Sequence, residues 1–525
     1  MLRKLLFSQI MFIGILLFAN PMALISNNLT ISNVSLTGQN TAEDYAYIRF
    51  DISWENSWRT SSAPNNHDAA WVFAKYRVGS GTWNHVMLSP SGHIAPAGST
   101  LDVPPDLVGA FFYRDADGSG TFTKTGVKLR WNYGASGIGE DDVVDVKVFG
   151  LEMVYVPEGA FWVGSPGVDA GGKLYTFNSG LSFDPFQINN EDEIQVGNTN
   201  GFLYYTTSAN RGDGLGPIPA GYPKGFNAFY VMKTEMTNQC YVDFLNMQPR
   251  NIQNVRISTS LEGEDETVLR YVMVTPDSPT VFGSATPDFR SPIKIDATFS
   301  SVDPLTFYCD LDNDDIPNEI NDGQSLSCAY LSWNDAMAYL DWAGLRPMTE
   351  LEFEKSCRGP IYPVSGEQAW GSSSFTEVSS TLINPGESEE ISSNINSNIN
   401  CNNLIQGPTR AGMFAMAGKT RIRSGATYYG ILDMGGNLWE RPVTLGNPTG
   451  RAYNGMHGNG SLNSNGEADV IQWPGALFGP GFRGGYFEST PYSITRVADR
   501  SDAAHGSDRR RNRFGGRGVR TAPSN

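Results

Sequence analysis

Apolar and polar side chains alternate along residues 47–54, near the start of the chain. Single polar residues separate four side chains of the kind that proteins bury: Ile48, Phe50, Ile52 and Trp54. Strict alternation predicts a β-strand with one buried face. Further strand-like runs, bounded by turn residues, lie at 71–76, 110–113 and 127–131. Residues 27–150 are therefore predicted to form a β-sandwich domain.

The pattern changes after residue 150, where helix start signals appear. Thr237, Ser332 and Thr349 each precede apolar residues on one helical face, and the last two have capping-box spacing. Long polar stretches predict surface insertions near 166–225, 250–325 and 370–408. The fold class predicted for the whole chain is α+β, with the β-sandwich followed by a second domain over 151–525.

Composition supports a loop-rich, exported protein. The 57 Gly, 30 Pro and 12% aromatic residues favour short strands and long loops. A formal charge of −17 would repel phosphate groups, so a nucleic acid is not an expected partner.

The first 23 residues carry the features of a signal peptide. Arg3 and Lys4 precede an apolar run over 5–19, and the segment ends at the small residue Ala23. No later run is apolar enough to predict a transmembrane segment. The mature chain is therefore expected in the periplasm, on the cell surface or in the medium.

Five cysteines follow, all in the later part of the chain. Export permits disulfides, and Cys309 and Cys328 bracket one acidic loop, so they are the predicted pair. An odd count leaves at least one thiol free or paired with another chain.

The acidic loop is also a candidate calcium site, the weaker of two. Asp310, Asp312 and Asp314 place carboxylates at alternate positions, as calcium loops do. The loop lacks the usual Gly at position six, and Asn321 stands at position twelve in place of a bidentate Glu. A simply solvated acidic loop is the alternative.

Six segments then carry a family likeness, in order along the chain. They lie at 153–159 (MVYVPEG), 229–238 (FYVMKTEMTN), 331–355 (LSW…RPMTELEFEK), 436–440 (GNLWE), 482–485 (FRGG) and 518–520 (GVR). Together they resemble the formylglycine-generating, or sulfatase-modifying, enzyme family. The resemblance implies a C-type-lectin-like α+β fold for residues 151–525.

The resemblance also implies an oxidase chemistry that this chain departs from. Members of the family bind copper through two cysteines that follow the Gly-Gly segment, and Ser489 and Ile494 stand at those positions here. Neither side chain is a soft ligand of the kind that Cu(I) prefers. Copper is therefore not expected, and no catalytic residue is assigned.

Calcium is the cofactor that the resemblance does support. Carried over to this sequence, the ligands are Asp433, Gly436, Leu438 and Glu440, which offer the hard oxygen atoms that calcium prefers. The alternative is that Glu440 forms a buried salt bridge while Trp439 fills the core.

The function that follows is noncatalytic recognition of a glycan or protein ligand, or of a surface. The predicted binding face is made of late-loop residues: Tyr486, Phe487, Ser489, Tyr492, Arg496 and Arg500. The alternative is that several of these fill the core. Two other functions stay open: an oxidoreductase of the sulfatase-modifying family, in which Cys357 and Cys401 converge on a pocket, and a structural envelope component.

Overall fold

The structure is a computed structural model, which describes residues 29–167, 171–179, 183–258, 271–274, 283–296, 303–490 and 492–523. The predicted signal peptide at 1–23 lies outside these ranges, as do parts of the insertions predicted at 166–225 and 250–325. Among the described residues, no helix combines the length and apolarity needed to cross a membrane.

The chain is rich in strands and poor in helices. The strands are β1 (Thr30–Asn40), β2 (Tyr45–Arg59), β3 (Asp68–Val78), β4 (Asn84–His85), β5 (Ser99–Asp102), β6 (Ala110–Arg114), β7 (Gly118–Trp131), β8 (Val144–Val156), β9 (Phe161–Val163), β10 (Tyr175–Thr176), β11 (Phe186–Ile188), β12 (Leu203–Tyr204), β13 (Phe229–Met232), β14 (Ile293–Ile295), β15 (Phe307–Cys309), β16 (Arg346–Pro347), β17 (Leu382–Ile383), β18 (Ile391–Ser392) and β19 (Gly518–Thr521). The helices are α1 (Asn238–Leu245), α2 (Arg250–Arg256), α3 (Trp333–Trp342), α4 (Glu350–Arg358), α5 (Arg421–Ser424) and α6 (Pro448–Arg451). Two 3₁₀ turns lie at Tyr133–Ser136 and Tyr492–Thr495.

Two sheets organise the fold. A three-stranded sheet has the order β1-β2-β7, and an eight-stranded sheet has the order β16-β19-β13-β8-β3-β6-β5, with β4 paired to β3. The pairs of both sheets are antiparallel. Four of the strand predictions from the N-terminal sequence are confirmed by β2, β3, β6 and β7.

The large sheet is continuous across the boundary predicted at 150/151. Strand β8 runs through that boundary, pairing with β3 on one side and with β13 on the other. The buried residues between β1-β2-β7 and the facing strands β3, β6 and β8 all lie between Leu29 and Val148. The facing sheet continues through β8 into β13, β19 and β16, so the two parts of the chain share one sheet. The sandwich domain over 27–150 and its boundary stay predictions.

Strand β3 shows how this sheet is buried on both faces. Ala70, Val72 and Ala74 point into the core shared with β1, β2 and β7. Trp71 and Phe73 point into a second core that contains α1 and α3. A strand covered on both sides favours apolar residues on both faces, which explains why 71–76 does not alternate. The exception is the buried Lys75, whose Nζ donates to Trp342 O and Gly460 O.

The predicted helix starts are confirmed. The Thr237 hydroxyl accepts a hydrogen bond from Cys240 N at the start of α1. Ser332 and Thr349 form reciprocal capping boxes with Asp335 and Glu352 at the starts of α3 and α4. These caps satisfy backbone donors that the first turn leaves without partners, so the helices begin where the sequence indicates.

Candidate functional site

The segment after the Gly-Gly motif forms a tight turn. Gly484 and Gly485 both have positive φ, 82° and 76°. A Cβ atom at Gly485 would lie 2.8 Å from Ser489 Oγ. Ser489 Oγ accepts a hydrogen bond from Tyr486 N at 2.7 Å, and Ser489 N donates to Tyr486 O at 2.8 Å. The buried Ser489 side chain therefore closes the turn and does not face a ligand.

Two other residues of the predicted binding face are also interior, which corrects that prediction. Phe487 is buried, and its backbone N donates to Asn437 O at 2.9 Å. Arg500 is buried and donates from Nε to Glu350 Oε2 at 2.7 Å. Its guanidinium carbon lies 4.3 Å from the ring centroid of Tyr205. For Phe487, Ser489 and Arg500, the alternative of core filling is the one observed.

Arg500 belongs to a buried ionic network. Arg483 joins Glu350 at 3.1 Å and Glu354 at 2.7 Å. Three acids and three arginines make up the network: Glu350, Glu354, Glu367, Arg358, Arg483 and Arg500. Burial alone would raise the pKa of Glu350, but the neighbouring Arg500 and Arg483 outweigh it and lower that pKa. The equal numbers of opposite charges indicate a structural role.

The remaining three predicted face residues are partly exposed. Tyr486 lies under Arg513, with 5.1 Å from the guanidinium carbon to the ring centroid, and its hydroxyl accepts from Arg513 Nη1 at 3.2 Å. Tyr492 packs on Phe375. A hydrogen bond to Glu377 is the main cause, and burial the second, that raises the pKa of Tyr492 to about 12. Arg496, four residues after Tyr492, is half-buried.

Ile494, at the second position that the resemblance assigns to cysteine, packs on an aromatic cluster. The buried members of this cluster are Trp439, Phe482 and Phe514. An aliphatic side chain in such a cluster contributes packing and no ligand atom.

All five cysteines are buried free thiols. The predicted disulfide between Cys309 and Cys328 is therefore not formed in the structure. Cys357 and Cys401 share one hydrophobic core with Val154 and Trp370. Burial raises the pKa of both thiols, that of Cys401 to about 12, which keeps them protonated and poorly nucleophilic at neutral pH.

The Gly436–Glu440 segment lies in a buried polar network centred on Asn437. Asn437 Nδ2 donates to Glu235 Oε2 at 2.5 Å and to Ser327 Oγ at 2.9 Å. Asn437 Oδ1 accepts from Thr409 N at 2.9 Å. Leu438 N donates to Glu235 Oε1 at 3.0 Å. Glu235 was not among the site residues predicted from the sequence, although it lies within the 229–238 family segment.

The buried Glu235 and Glu440 and the half-buried Asp433 form an acidic group. Glu440 pairs with Arg517 at 2.6 Å, and Asp433 Oδ2 accepts from Gly412 N at 2.5 Å. Burial is the main cause that raises the pKa of Glu235, and the neighbouring carboxylates of Asp433 and Glu440 raise it further. The salt bridge of Glu440 and the buried Trp439 match the alternative stated for the calcium prediction. Calcium at Asp433, Gly436, Leu438 and Glu440 stays a prediction.

The acidic loop after β15 also brings its carboxylates together. Oxygen atoms of Asp310, Asp312 and Asp314 lie within 4.8 Å of one another. Asp310 is buried, whereas Asp312 and Asp314 are exposed. The loop therefore groups the three side chains that the sequence singled out.

A concave site that the sequence did not predict lies between β3 and α2. Its volume is about 860 Å³, and its lining includes Arg77, Trp83, Asn246, Gln248, Asn251 and Asn254. Trp83 is half-buried, with the Arg77 guanidinium carbon 4.8 Å from its ring centroid. The only sequence signal was a Trp in a Gly-Ser-Gly-Thr turn, far along the chain from the amide residues that face it.

A β-rich fold with few helices, long loops and this order of segments defines the class of the protein. Residues 147–522 match the family described as "Sulfatase-modifying factor enzyme 1-like domain". The match spans well over half of the chain, so the protein belongs to this family.

Two relatives are similar to this chain over a short stretch. The formylglycine-generating enzymes of Mus musculus and Bos taurus are each 59% identical to it over 32 residues. That stretch is 6% of this chain and 9% of either enzyme. The aligned region is thus less than a tenth of the length of these relatives.

Proposed function

We propose that this protein is an exported, noncatalytic recognition protein that binds carbohydrate in the cavity beside Trp83. The cavity carries the proposal, because its volume of about 860 Å³ lies in the range typical of ligand sites. Amide side chains both donate and accept hydrogen bonds, which suits the hydroxyl groups of a sugar. An aromatic wall suits the apolar faces of a sugar ring.

The lining has a firm floor and polar walls. Asn246 is held by two hydrogen bonds to the backbone of Phe307, at 2.9 Å and 2.8 Å, and Met247 is buried. Asn251 is exposed, and Asn254 accepts from Arg250 at 2.7 Å. A rigid floor beside the exposed amide of Asn251 can bind a ligand without a large loss of side-chain entropy.

Oxidase chemistry has little support in the side chains present. Ser489 and Ile494 stand at the positions that the family resemblance assigns to the copper-binding cysteines, and both serve packing. Cys357 and Cys401 are core residues whose pKa values are raised by burial. The oxidoreductase alternative would therefore need a reactive group elsewhere.

A calcium ion at Asp433, Gly436, Leu438 and Glu440 is part of the proposal, with a structural role. Glu235, Asp433 and Glu440 supply hard oxygen atoms, and Arg517 and Arg410 are the neighbouring cations, so three carboxylates face two guanidinium groups. Such an ion would tie the loop between α5 and α6 to the segment after β13.

The test is an array of neutral and acidic glycans probed with the chain lacking residues 1–23. We expect binding that weakens at least ten-fold in Trp83→Ala and Asn251→Ala and persists in Tyr492→Ala. Loss in Tyr492→Ala alone would move the site to the predicted late-loop face. Absence of binding to every glycan would refute the carbohydrate proposal, and self-assembly under the same conditions would favour an envelope component.

A second assay addresses the oxidoreductase alternative. The copper-loaded chain is incubated in air with a cysteine-containing sulfatase-type peptide, beside an active formylglycine-generating enzyme. We expect the peptide mass to stay unchanged with this chain. Conversion of the cysteine to formylglycine would refute the noncatalytic proposal.

A further inference from the structure

A second cavity, called the His67 cavity below, lies at the opposite end of β3 from the cavity beside Trp83. Its volume is about 220 Å³, and its lining includes six polar or aromatic residues: Arg59, His67, Asp102, Tyr113, Tyr155 and Tyr230. Arg77, which lines the cavity beside Trp83, comes ten residues after His67. At about 3.3 Å per residue along a strand, that span is roughly 30 Å, so the two cavities are separate sites.

The strand register directs the side chain of Asp102 to the same face of the sheet as the tyrosines. Asp102 lies opposite Phe111 in the β5–β6 pair. Residues opposite each other in an antiparallel pair share a face, as do residues two apart in one strand, so Asp102 projects beside Tyr113. The Phe111 ring stacks on that of Tyr230, with 3.8 Å between the ring centroids. Tyr230 lies opposite Tyr155 in the β8–β13 pair.

His67 lies at the centre of the aromatic wall of this cavity. Its ring centroid is 4.6 Å from that of Tyr113 and 4.8 Å from that of Tyr155. Its Nε2 lies 3.1 Å from the Tyr230 hydroxyl, and Arg59 faces it across an isolated β-bridge. Burial is the main cause, and the charge of Arg59 the second, that lowers the pKa of His67 to about 3. The imidazole is therefore neutral at physiological pH, and the wall carries no charge.

Arg59 brings a cation to the cavity without a carboxylate in contact with it. Its Nη1 donates to Arg114 O at 2.9 Å, and the guanidinium also donates to the Tyr113 hydroxyl. Its charge influences Asp117, but that exposed carboxylate accepts hydrogen bonds from Ser61 N and Oγ at 3.0 Å and 2.6 Å. Among the residues that the structure describes, no Asp or Glu oxygen lies within the 4.0 Å of an ion pair with Arg59.

Asp102 brings a carboxylate that also lacks a partner. It is half-buried, and within the described ranges its side chain forms neither a hydrogen bond nor an ion pair. Burial raises the pKa of Asp102, and no neighbouring cation lowers it. The charges of Arg59 and Asp102 therefore line one cavity without meeting. Because a charge withdrawn from water is costly without a partner, a ligand that carries both opposite charges would be stabilised there.

We infer that the His67 cavity binds a small zwitterion, a free α-amino acid, with its carboxylate on Arg59 and its ammonium group on Asp102. A guanidinium group recognises a carboxylate through two parallel hydrogen bonds, and a carboxylate accepts hydrogen bonds from an ammonium group. Tyrosine rings add apolar surface and attract a cation.

The size of the cavity favours a free amino acid over a larger ligand. Sites for drug-sized ligands have volumes of about 300–1,000 Å³, and the His67 cavity is smaller. The inference does not depend on the carbohydrate proposal, because the two cavities share no lining residue.

The test is isothermal titration calorimetry of the purified protein with each standard amino acid in turn. We expect at least one to bind, and its affinity to fall at least about ten-fold in Arg59→Gln and in Asp102→Asn, since each variant loses a charged hydrogen bond. The matched controls are Arg49→Gln and Asp51→Asn, which alter a pair of residues 3.0 Å apart on the outer face of β2. Both controls should bind the amino acid as the unchanged chain does, and so should Trp83→Ala.

Two derivatives of the amino acid that binds test its orientation. Its carboxamide lacks the carboxylate, and its N-acetyl form lacks the ammonium group, so the unchanged chain should bind each at least about ten-fold more weakly. Arg59→Gln should weaken the binding of the carboxamide less than about two-fold, and Asp102→Asn that of the N-acetyl form likewise, because the partner group is already absent.

Three results would overturn the inference. The first is that no amino acid binds. The second is that the cavity variants keep the affinity of the controls, or that the unchanged chain binds both derivatives as tightly as the amino acid. The third is loss of binding in Trp83→Ala, which would place the amino acid in the other cavity.

Discussion

At the scale of single residues, buried charge decides which side chains can serve function. Arg500 looks like a binding residue in the sequence, but its partner Glu350 holds it in the interior. Arg517 similarly binds Glu440, and Arg520 binds Asp106 from the far end of the chain. A buried guanidinium is costly unless carboxylates or carbonyls pair with it, so these contacts have a structural role.

Removing one member of the network should be strongly destabilising. Arg500→Met leaves Glu350 buried with Arg483 as its remaining cation, and we expect a loss of about 3–5 kcal/mol in the free energy of unfolding. Urea denaturation measures it. The exposed Arg509→Met serves as control and should stay within about 0.5 kcal/mol. Equal stability of the two variants would contradict a structural role for Arg500.

Asp341 should make stability depend on pH. Burial is the main cause that raises the pKa of Asp341 to about 6. Asp469 N and Asn459 N donate hydrogen bonds to its carboxylate at 2.9 Å and 2.8 Å, which lower the pKa but do not outweigh burial. The folded protein therefore binds this proton more tightly than the unfolded chain, whose aspartates titrate near about 3.9. Ionised Asp341 is destabilising above pH 6, and that destabilisation disappears as the pH falls toward 4.

The comparison that isolates this residue is between the unchanged chain and Asp341→Asn. We expect the unfolding free energy of the unchanged chain, relative to the variant, to rise as the pH falls from 7 to 4. Urea denaturation at several pH values measures the difference. A difference that is constant over this range would contradict the raised pKa.

At the scale of elements, local signals succeed where the interactions are local. Strand β2 alternates between buried and partly buried residues over 45–54, as its sequence does between polar and apolar ones. Helices α3 and α4 begin at their capping boxes. Strand β3 has no alternation, because the second layer that covers it comes from residues hundreds of positions away.

The cap of α3 offers a test at this scale. Ser332 and Asp335 satisfy each other's backbone N–H groups at 3.1 Å and 2.9 Å. We expect Ser332→Ala to lower the free energy of unfolding by about 1 kcal/mol. Asn334→Ala, an exposed change in the same first turn, should have less than half that effect. If the two variants lose equal stability in urea, the cap is not what begins the helix.

At the scale of the whole molecule, the N-terminal part and the family domain share one sheet and one set of contacts. Trp71 Nε1 donates to Ala343 O at 2.8 Å, and Lys75 Nζ donates to Trp342 O at 2.7 Å. Asn66 Nδ2 donates to Tyr429 O at 2.7 Å. These side chains come from β3 and the residues just before it, and their partners come from the C-terminal part.

A fragment cut at the predicted boundary should therefore not fold. Residues 151–525 lack β3 and half of β8, so the rest of β8 would lose its pairing with β3, and the core around α1 and α3 would lose Trp71 and Phe73. We expect this fragment to be aggregated or to show no cooperative transition in calorimetry. Residues 27–525, cut before β1, should unfold in a single transition. A cooperative transition in the 151–525 fragment would show that the two parts fold separately.

The sequence by itself determined the family, the order of its segments, the N-terminal strands and three helix starts. Each of these depends on residues close together in the chain, through alternation, capping or short motifs. The acidic loop belongs to the same group, since three carboxylates on one turn are brought together by local geometry.

Only the tertiary structure decided which late-loop residues are accessible. It also decided that one sheet continues across the predicted boundary at 150/151. Phe487, Ser489 and Arg500 are of types that occur in both binding sites and interiors, and their burial depends on Asn437, Tyr486 and Glu350. The cavity beside Trp83 and the role of Glu235 likewise arise from segments that are distant in the chain. A pattern along the sequence reflects local conformational preference, whereas burial and ionic pairing depend on long-range packing. This difference is the physical reason why the sequence determined the first set of features and only the tertiary structure the second.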